Sequence, residues 1–510
     1  MYLSHNPRVI GGLGLLQTAV GRALAIAAAF FLLGCAWLVS NPPGAAPDED
    51  SHYVRMVGLS DGHLIGRDVP VSRDAGIVQA RVDTESGAYD LPGTAPPPVQ
   101  CHIFRAERPY DCAAPPAAAG TIRAVSYHAR TLPLVYGFPA LLSRLARSTN
   151  GKLYLGRLGF LLQNTALVFL ALIALPGPPT LRRPDVVAAL YLAFTPLAAF
   201  LMGQLAPSGT EIAAYVAFVA CLLRVLSTPT SRWWWAAVVT GSVAVWTRDL
   251  GVLMVPALAG LVLVTQVSST RRLAGLLSGR AMALGLGALV VSSGGALLWH
   301  VLLQYPVQLP AVSLSALRAV VADLRETAHG SVGRVGWLEV NLNVTLVRTW
   351  LGAAVLVSLF LAATNRRWAV VTAAFVTLWL GVNIWLTLHL TAAGFGNQAR
   401  YTLAIPMAMI LVAAECARLP SFRSTWPEAV VYLTAAFTAA GHFSMLLLNA
   451  QRHALGLSAA PMLFSPFSNA VWSPPIGWPA TLASCAIACA AVAALPLLRA
   501  VPRRPTSPES

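Results

Sequence analysis

Long apolar runs separated by short arginine-bearing breaks constrain this chain more than any other feature. They occupy residues 23–39, 155–175, 186–203, 210–226, 233–247, 250–265, 281–303, 344–364, 368–390, 401–417, 429–448 and 478–498. Runs of this length and polarity are what a bilayer of about 30 Å demands of a spanning helix. The composition agrees: only 11% of residues are charged and the mean hydropathy is +0.64. That leaves too little polar surface to cover a water-soluble fold, which carries about 25% charged residues. The net charge of +15 would otherwise suggest nucleic acid. Here the charges sit in the breaks between apolar runs, so membrane orientation explains them better and no nucleic-acid partner is expected.

Threading the runs alternately tests the count. The breaks that fall inside hold Arg182-Arg183, Arg224 with Arg232, Arg271-Arg272 with Arg280, Arg366-Arg367, Arg418 with Arg423, and Arg499 with Arg503-Arg504. Every one is basic, as cytoplasmic loops require, while most carboxylates fall outside. The fold expected is an all-α polytopic membrane protein of about twelve transmembrane helices with both termini cytoplasmic. Its parts are a cytoplasmic N-terminus (1–22), a first transmembrane helix (23–39) and a large extracytoplasmic loop with an interfacial segment at 132–147 (40–152). Helices two to seven (153–303), a second extracytoplasmic loop (304–343), helices eight to twelve (344–499) and a cytoplasmic tail (500–510) complete it. Residues 233–265 read equally as two helices or as one kinked helix. The first apolar run reads better as an uncleaved helix than as a signal peptide, since no small-residue cleavage site precedes Asn41.

Five of the seven cysteines (Cys35, Cys221, Cys416, Cys485 and Cys489) lie in apolar runs and act there as small apolar residues. Cys101 and Cys112 stand alone in the long polar loop, where an oxidising compartment would pair them as a disulfide; the alternative is two free thiols.

The first residues after helix one carry the densest chemistry: Asp48, Glu49 and Asp50, then His52 and Arg55. Adjacent carboxylates can take a proton from a hydroxyl or hold a divalent cation, Mg2+ or Mn2+ being the natural choices. The bland reading is a solvated acidic turn. Other polar residues fall on the same side: Gln204, Ser208 and Glu211, the pair Arg248-Asp249, Arg334 with Trp337 and Glu339, and Gln398, Arg400 and Tyr401. Each alone is most simply an interfacial residue reaching for water, and Arg248-Asp249 an ion pair. Together they point to a polar cavity at the outer membrane face. His300, His389 and His442 lack metal-ligand spacing and read as ordinary helix-end residues. The sequence has no P-loop, no Rossmann glycine pattern and no zinc motif.

An Asp-Glu pair just after a short first helix, with a histidine close behind, resembles the opening of the membrane-embedded GT-C glycosyltransferases. Protein O-mannosyltransferases carry a similar Asp-Glu-x-His pattern, although here an extra residue separates Glu49 from His52. The chain is similar over about residues 41–406 to a bacterial multi-pass membrane family of unknown function, related to GT-C enzymes. The resemblance rests on Pro47-Asp48-Glu49-x-x-His52-x-x-Arg55, Tyr154-Leu155-Gly156-Arg157-Leu158, Ala206-Pro207-Ser208-Gly209-Thr210-Glu211, Val335-Gly336-Trp337-Leu338 and Gly396-Asn397-Gln398-Ala399-Arg400-Tyr401. It implies a bacterial inner-membrane protein of GT-C-like fold that moves a sugar from a polyprenyl-phosphate donor to an envelope glycan, lipid or protein. Asp48 would be the general base and Glu49 a second carboxylate that orients the acceptor or shares a cation. Arg248 and Arg400, with Arg55 and Arg334 behind them, would take the charge of the departing phosphate. Asp50, His52, Glu211, Asp249, Gln398 and Tyr401 would line the substrate site. Two other readings stay open: a transporter or flippase of a lipid-linked saccharide, and a non-catalytic envelope assembly protein. Transporters usually hold ionisable residues at the midplane and show repeated halves. This chain gathers them at one face and shows no repeat.

Overall fold

The computed structural model describes residues 18–70, 82–92, 95–99, 101–112, 120–175, 184–267, 279–304, 314–364, 366–392, 396–416, 428–458 and 469–499. The fold is mostly helical. Among the described residues, eight helices are long and apolar enough to cross a membrane. They are α1 (Ala19–Ser40), α4 (Thr149–Ala174), α7 (Pro207–Ser227), α10 (Arg280–Leu303), α12 (Val344–Thr364), α13 (Arg366–Ala392), α15 (Glu428–Ala454) and α16 (Gly477–Ala494).

Four of the twelve expected runs fold as shorter helices. The run 186–203 divides into α5 (Pro184–Ala193) and α6 (Pro196–Met202). Pro196 cannot donate to the helical ladder, and the Thr195 side chain instead caps α6 by accepting from the Ala198 amide. The doubtful stretch 233–265 is two helices, α8 (Ser231–Val245) and α9 (Gly251–Gln266), parted at Trp246–Leu250. The tenth run yields α14 (Ala404–Cys416), preceded by a short 3-10 turn at Ala399–Tyr401. The tail, the N-terminal residues before Thr18, and the arginines at 182–183, 271–272, 418 and 423 lie outside the described residues.

Sequence sets the helix ends. Thr18 caps α1 by accepting from the Gly21 amide at 2.9 Å, and Asn41 turns extended before Pro42-Pro43, where the α region is disfavoured. Helix α7 is the axis of the bundle: 89% of its apolar window is buried, against 11% for the peripheral α10. Helices α4, α8 and α14 surround it, and α1 packs between α4 and α16. Close approach is set by glycine at one decisive point, where a Cβ on Gly203 would lie 2.6 Å from the Gly34 carbonyl of α1.

Above α1 and α4 a small layer covers one end of the bundle. Helix α2 (Glu49–Ser60) lies on an antiparallel sheet of order β1-β2-β3: β1 (Arg67–Asp68), β2 (Gly87–Pro92) and β3 (Thr121–Ser126), with Tyr89 opposite Ala124. Tyr53, Met56 and Val57 of α2, Tyr89 and Leu91 of β2, and Phe160 of α4 form its core. The interfacial segment is a 3-10 turn followed by α3 (Gly137–Ser143), and Leu134, Phe138, Leu141 and Leu145 face outward. The loop expected at 304–343 contains a further helix, α11 (Leu314–Gly333), then a two-strand turn, β4 (Arg334–Val335) with β5 (Val340–Asn341). Charged residues recurring along α11 hid it from a search for apolar runs. Cys101 and Cys112 form a disulfide, Cα–Cα 5.6 Å.

Candidate active site

The chain between α1 and α2 is held from several sides. The Gly44 carbonyl accepts from Trp337 Nε1 at 2.9 Å and hydrogen-bonds His102 Nε2 at 3.2 Å. The disulfide loop carrying His102 is tied to α15 by Arg452, which donates to the carbonyls of His102 and Arg108 and to Glu339. These bonds bring three distant stretches of sequence onto one turn and leave Asp48 at its end.

Asp48 precedes α2 in the left-handed region, φ 65°. Aspartate tolerates that conformation better than most residues, but it still costs about 1–2 kcal/mol. The strain aims its carboxylate away from the α2 ladder. Oδ2 accepts from Arg400 Nη2 at 2.8 Å and Oδ1 from the Tyr127 hydroxyl at 3.0 Å, with His128 Nε2 4.0 Å away. Burial works against ionisation, yet Arg400 and His128 overcome it and hold the Asp48 carboxyl well below its ordinary range. Asp50 goes the other way: burial and the charge of Asp48 push it up to about 6, and its Oδ1 is buried without a partner. Neighbouring carboxylates driven apart in this way are a recurrent mark of acid–base sites.

Glu49 does not fit the catalytic role expected of it. It is fully buried. Oε1 accepts from Arg157 Nε at 2.7 Å and the Leu205 amide, and Oε2 from Arg157 Nη2 at 2.6 Å and the Gly44 amide. Arg157 spends its remaining donors on the carbonyls of Leu38, Asn41 and Pro42 at the end of α1. Those carbonyls are the unpaired end of a helix, which a cation suits well. The Glu49–Arg157 pair is therefore a clamp between α1, α2 and α4 that fixes where Asp48 stands.

Beside Asp48, the His52 and His128 rings stack at 4.1 Å and 7°. His52 Nδ1 hydrogen-bonds the Tyr136 hydroxyl at 2.7 Å, and burial followed by the neighbouring His128 holds it neutral. Tyr127 and His128, which follow β3, and Tyr136, which ends the 3-10 turn before α3, had no signal in the sequence; the sheet delivers the first two and that turn the third. On the other flank, Arg248 lies 3.4 Å from Glu211, donates to Ser208, and packs over the Tyr401 ring at 4.7 Å. Arg400 packs on the same ring at 5.4 Å. Tyr401 thus sets two guanidiniums side by side near one carboxylate.

The other expected residues divide. Gln398 lies beside Arg400 and its Oε1 is buried without a partner. Arg334 pairs with Glu326 and Asn341 at the rim of the same cavity. Asp249 faces Gln304 and His300 at 3.1 and 3.7 Å, more exposed than the rest. Arg55 is a correction: it is fully buried, donating to Tyr89, Leu64 and Thr131, and holds α2 to the sheet rather than meeting a phosphate.

A divalent cation shared by Asp48 and Glu49 does not fit these residues either. Glu49 has no lone pair to spare and Asp48 already carries a guanidinium. Asp48, His52 and His128 do bring ligand atoms within 4.8 Å of one another. Stacked imidazoles, however, cannot both point their in-plane lone pairs at one ion, and Mg2+ prefers oxygen ligands.

No curated protein matches this sequence. Among solved structures, ArnT from Cupriavidus metallidurans bound to undecaprenyl phosphate is similar over 94% of this chain and 76% of its own, at 13% identity and TM-score 0.42. The apo state of that protein is similar over 92% and 74%, at 14% identity and TM-score 0.41. At those scores neither likeness assigns a residue. The family described as DUF2142, predicted membrane protein, matches residues 31–411, most of the chain, including Asp48, Arg248 and Arg400. The chain belongs to this DUF2142 family of membrane proteins.

Proposed function

We propose that this protein is a cell-envelope glycosyltransferase that takes its sugar from a polyprenyl-phosphate donor in the bacterial inner membrane. The observation that carries the reading is the Asp48 carboxylate, aimed by strain and held by Tyr127 and Arg400 beside a second guanidinium, Arg248. An acceptor hydroxyl attacks the anomeric carbon, and the bond from that carbon to the lipid phosphate oxygen breaks. The hydroxyl proton passes to a carboxylate as attack proceeds, Asp48 being placed for it, with Asp50 the better-tuned alternative near neutral pH. The departing phosphate gathers negative charge, which Arg248 meets with N–H donors in a site partly closed to water. Burial keeps the His52 imidazole neutral, so it adds no positive charge beside Asp48.

Concentration of ionisable groups at one end of the bundle favours this reading over a transporter, whose charges would sit at mid-depth. The test is transfer of labelled sugar from membranes to envelope fractions in a deletion strain carrying wild type, Asp48→Asn or Arg248→Gln. Incorporation restored by wild type and lost in both variants, at equal protein levels, supports a transferase. Full incorporation with either variant removes these residues from the reaction.

A further inference from the structure

A cavity of about 200 Å³ lies inside the bundle, enclosed by α1, α4, α5, α6, α7 and α14. Helix α7 turns one face towards it, Gly209, Ile212, Ala213 and Val216, at the i, i+3, i+4, i+7 spacing of a helical stripe. The space exists because small residues stand where four helices meet: Ala171 of α4, Ala193 of α5, Ala198 of α6 and Gly209 of α7. Its two ends differ. Met202, Gly209, Ile212 and Ala213, towards the Asp48 end of the bundle, are buried, whereas Arg22, Leu172, Leu175 and Leu495, at the far end, are half-buried. The cavity is thus blind towards the candidate active site and opens at the opposite end of the bundle. Its depth follows from helix geometry. Gly209 stands level with Asn164 of α4, whose Nδ2 lies 2.7 Å from a Cβ placed on that glycine. From residue 164 to Leu175 at the open end, the chain rises about 16 Å.

Depth and lining together specify what fits. Among the described residues around the cavity Arg22 alone is charged, and the Tyr191 hydroxyl donates to the Val492 carbonyl at 2.8 Å. Apolar cavities of this size stay dry and take up apolar ligands. An empty one forfeits the dispersion attraction of its whole lining. One leaflet supplies about 15 Å of hydrocarbon, half of a core of about 30 Å, so a single acyl chain standing in its own leaflet matches the depth. The tail of the proposed donor fits worse, because its phosphate belongs with Arg248 and the cavity is closed on that side. Arg22 lies at the open end, where the phosphate that carries such a chain would meet a guanidinium. We infer that this cavity is a phospholipid site: one acyl chain, from the leaflet away from Asp48, fills it, and the headgroup phosphate lies against Arg22. The site stands apart from the transferase reading and needs none of it.

The experiment is native mass spectrometry of the full-length protein, delipidated in detergent and titrated with phosphatidylglycerol or with the diacylglycerol of the same chains. Melting temperatures are taken in parallel. The variants are Ala213→Phe, which fills the blind end, the milder Ala171→Leu, and Arg22→Gln at the mouth. Wild type should hold one phosphatidylglycerol, and both filled variants should bind it about tenfold more weakly. At about a hundred times Kd the lipid should raise the wild-type melting temperature by about 2–3 °C and leave the filled variants where they are. Ala171→Leu should melt no lower than delipidated wild type, because it restores contacts to a void; it carries the test alone if Ala213→Phe does not fold. Arg22→Gln should weaken phosphatidylglycerol about tenfold and leave diacylglycerol unchanged. No lipid bound by wild type, or equal binding by wild type and the folded filled variants, overturns the inference. Phosphatidylglycerol binding untouched by Arg22→Gln overturns the placement of the headgroup. Displacement of the bound phosphatidylglycerol by equimolar polyprenyl phosphate would give the cavity to the donor's tail and overturns the inference as well.

Discussion

Replacing Glu49 with glutamine should damage the fold before it damages any chemistry. The substitution keeps the volume but leaves the Arg157 guanidinium buried with no opposing charge. It also turns an amide N–H₂ toward either the Gly44 or the Leu205 amide, both of which now donate to Glu49 at 3.0 and 3.3 Å. Breaking one side of a buried pair costs about 3–5 kcal/mol. Unfolding entropy for 510 residues is on the order of 1 kcal/mol/K by the globular-protein average. The expected fall in melting temperature is therefore about 3–5 °C, read by intrinsic tryptophan fluorescence in detergent. The double variant Glu49→Gln with Arg157→Met should recover much of the loss, because the uncompensated charge is gone and only the cap on α1 is missing. A Glu49→Gln protein that melts with wild type, or a double variant that loses the sum of the two single effects, would refute the clamp.

Three further outcomes follow from the same geometry. Asp50, raised to about 6, is protonated in the fold below that pH, so its contribution to stability is full below its unfolded value near 3.8 and is lost as pH rises through 6. Asp50→Asn should accordingly raise the melting temperature at pH 7.5 and not at pH 4; if Asp50 takes the proton, the acid limb of the wild-type rate profile also falls near pH 6. Tyr127→Phe removes one of two donors from Asp48, and sugar transfer should drop about tenfold in kcat with little change in KM. Closing the short Cys101–Cys112 loop is worth about 3 kcal/mol, so reduction or Cys112→Ser should lower the melting temperature and loosen the His102 contact to Gly44.

Much of this architecture was legible in the sequence because apolar length is a direct requirement of the bilayer. Where legibility failed, the cause was local. Pro196 cut one run in two, and α11 carries Arg318, Asp323, Arg325 and Glu326 on a face that no hydropathy window registers. The acidic triplet was visible as a triplet, but its three members have three different surroundings that spacing cannot reveal. Glu49 meets Arg157 across 108 residues and Asp48 meets Arg400 across 352. Tyr127 and His128 reach the site only because β3 pairs with β2 in one register, placing the turn after Ser126 over α2.

The central claim is that Asp48 serves a transfer reaction from a lipid phosphate. Release of polyprenyl phosphate by the purified protein, supplied with polyprenyl-phosphate sugars and saccharide acceptors, measures it most directly. The account predicts turnover by wild type that collapses at least a hundredfold in Asp48→Asn while the variant keeps its melting temperature to within a few degrees. Release by Asp48→Asn at the wild-type rate, or none by a folded wild type that still complements its deletion strain, would contradict it.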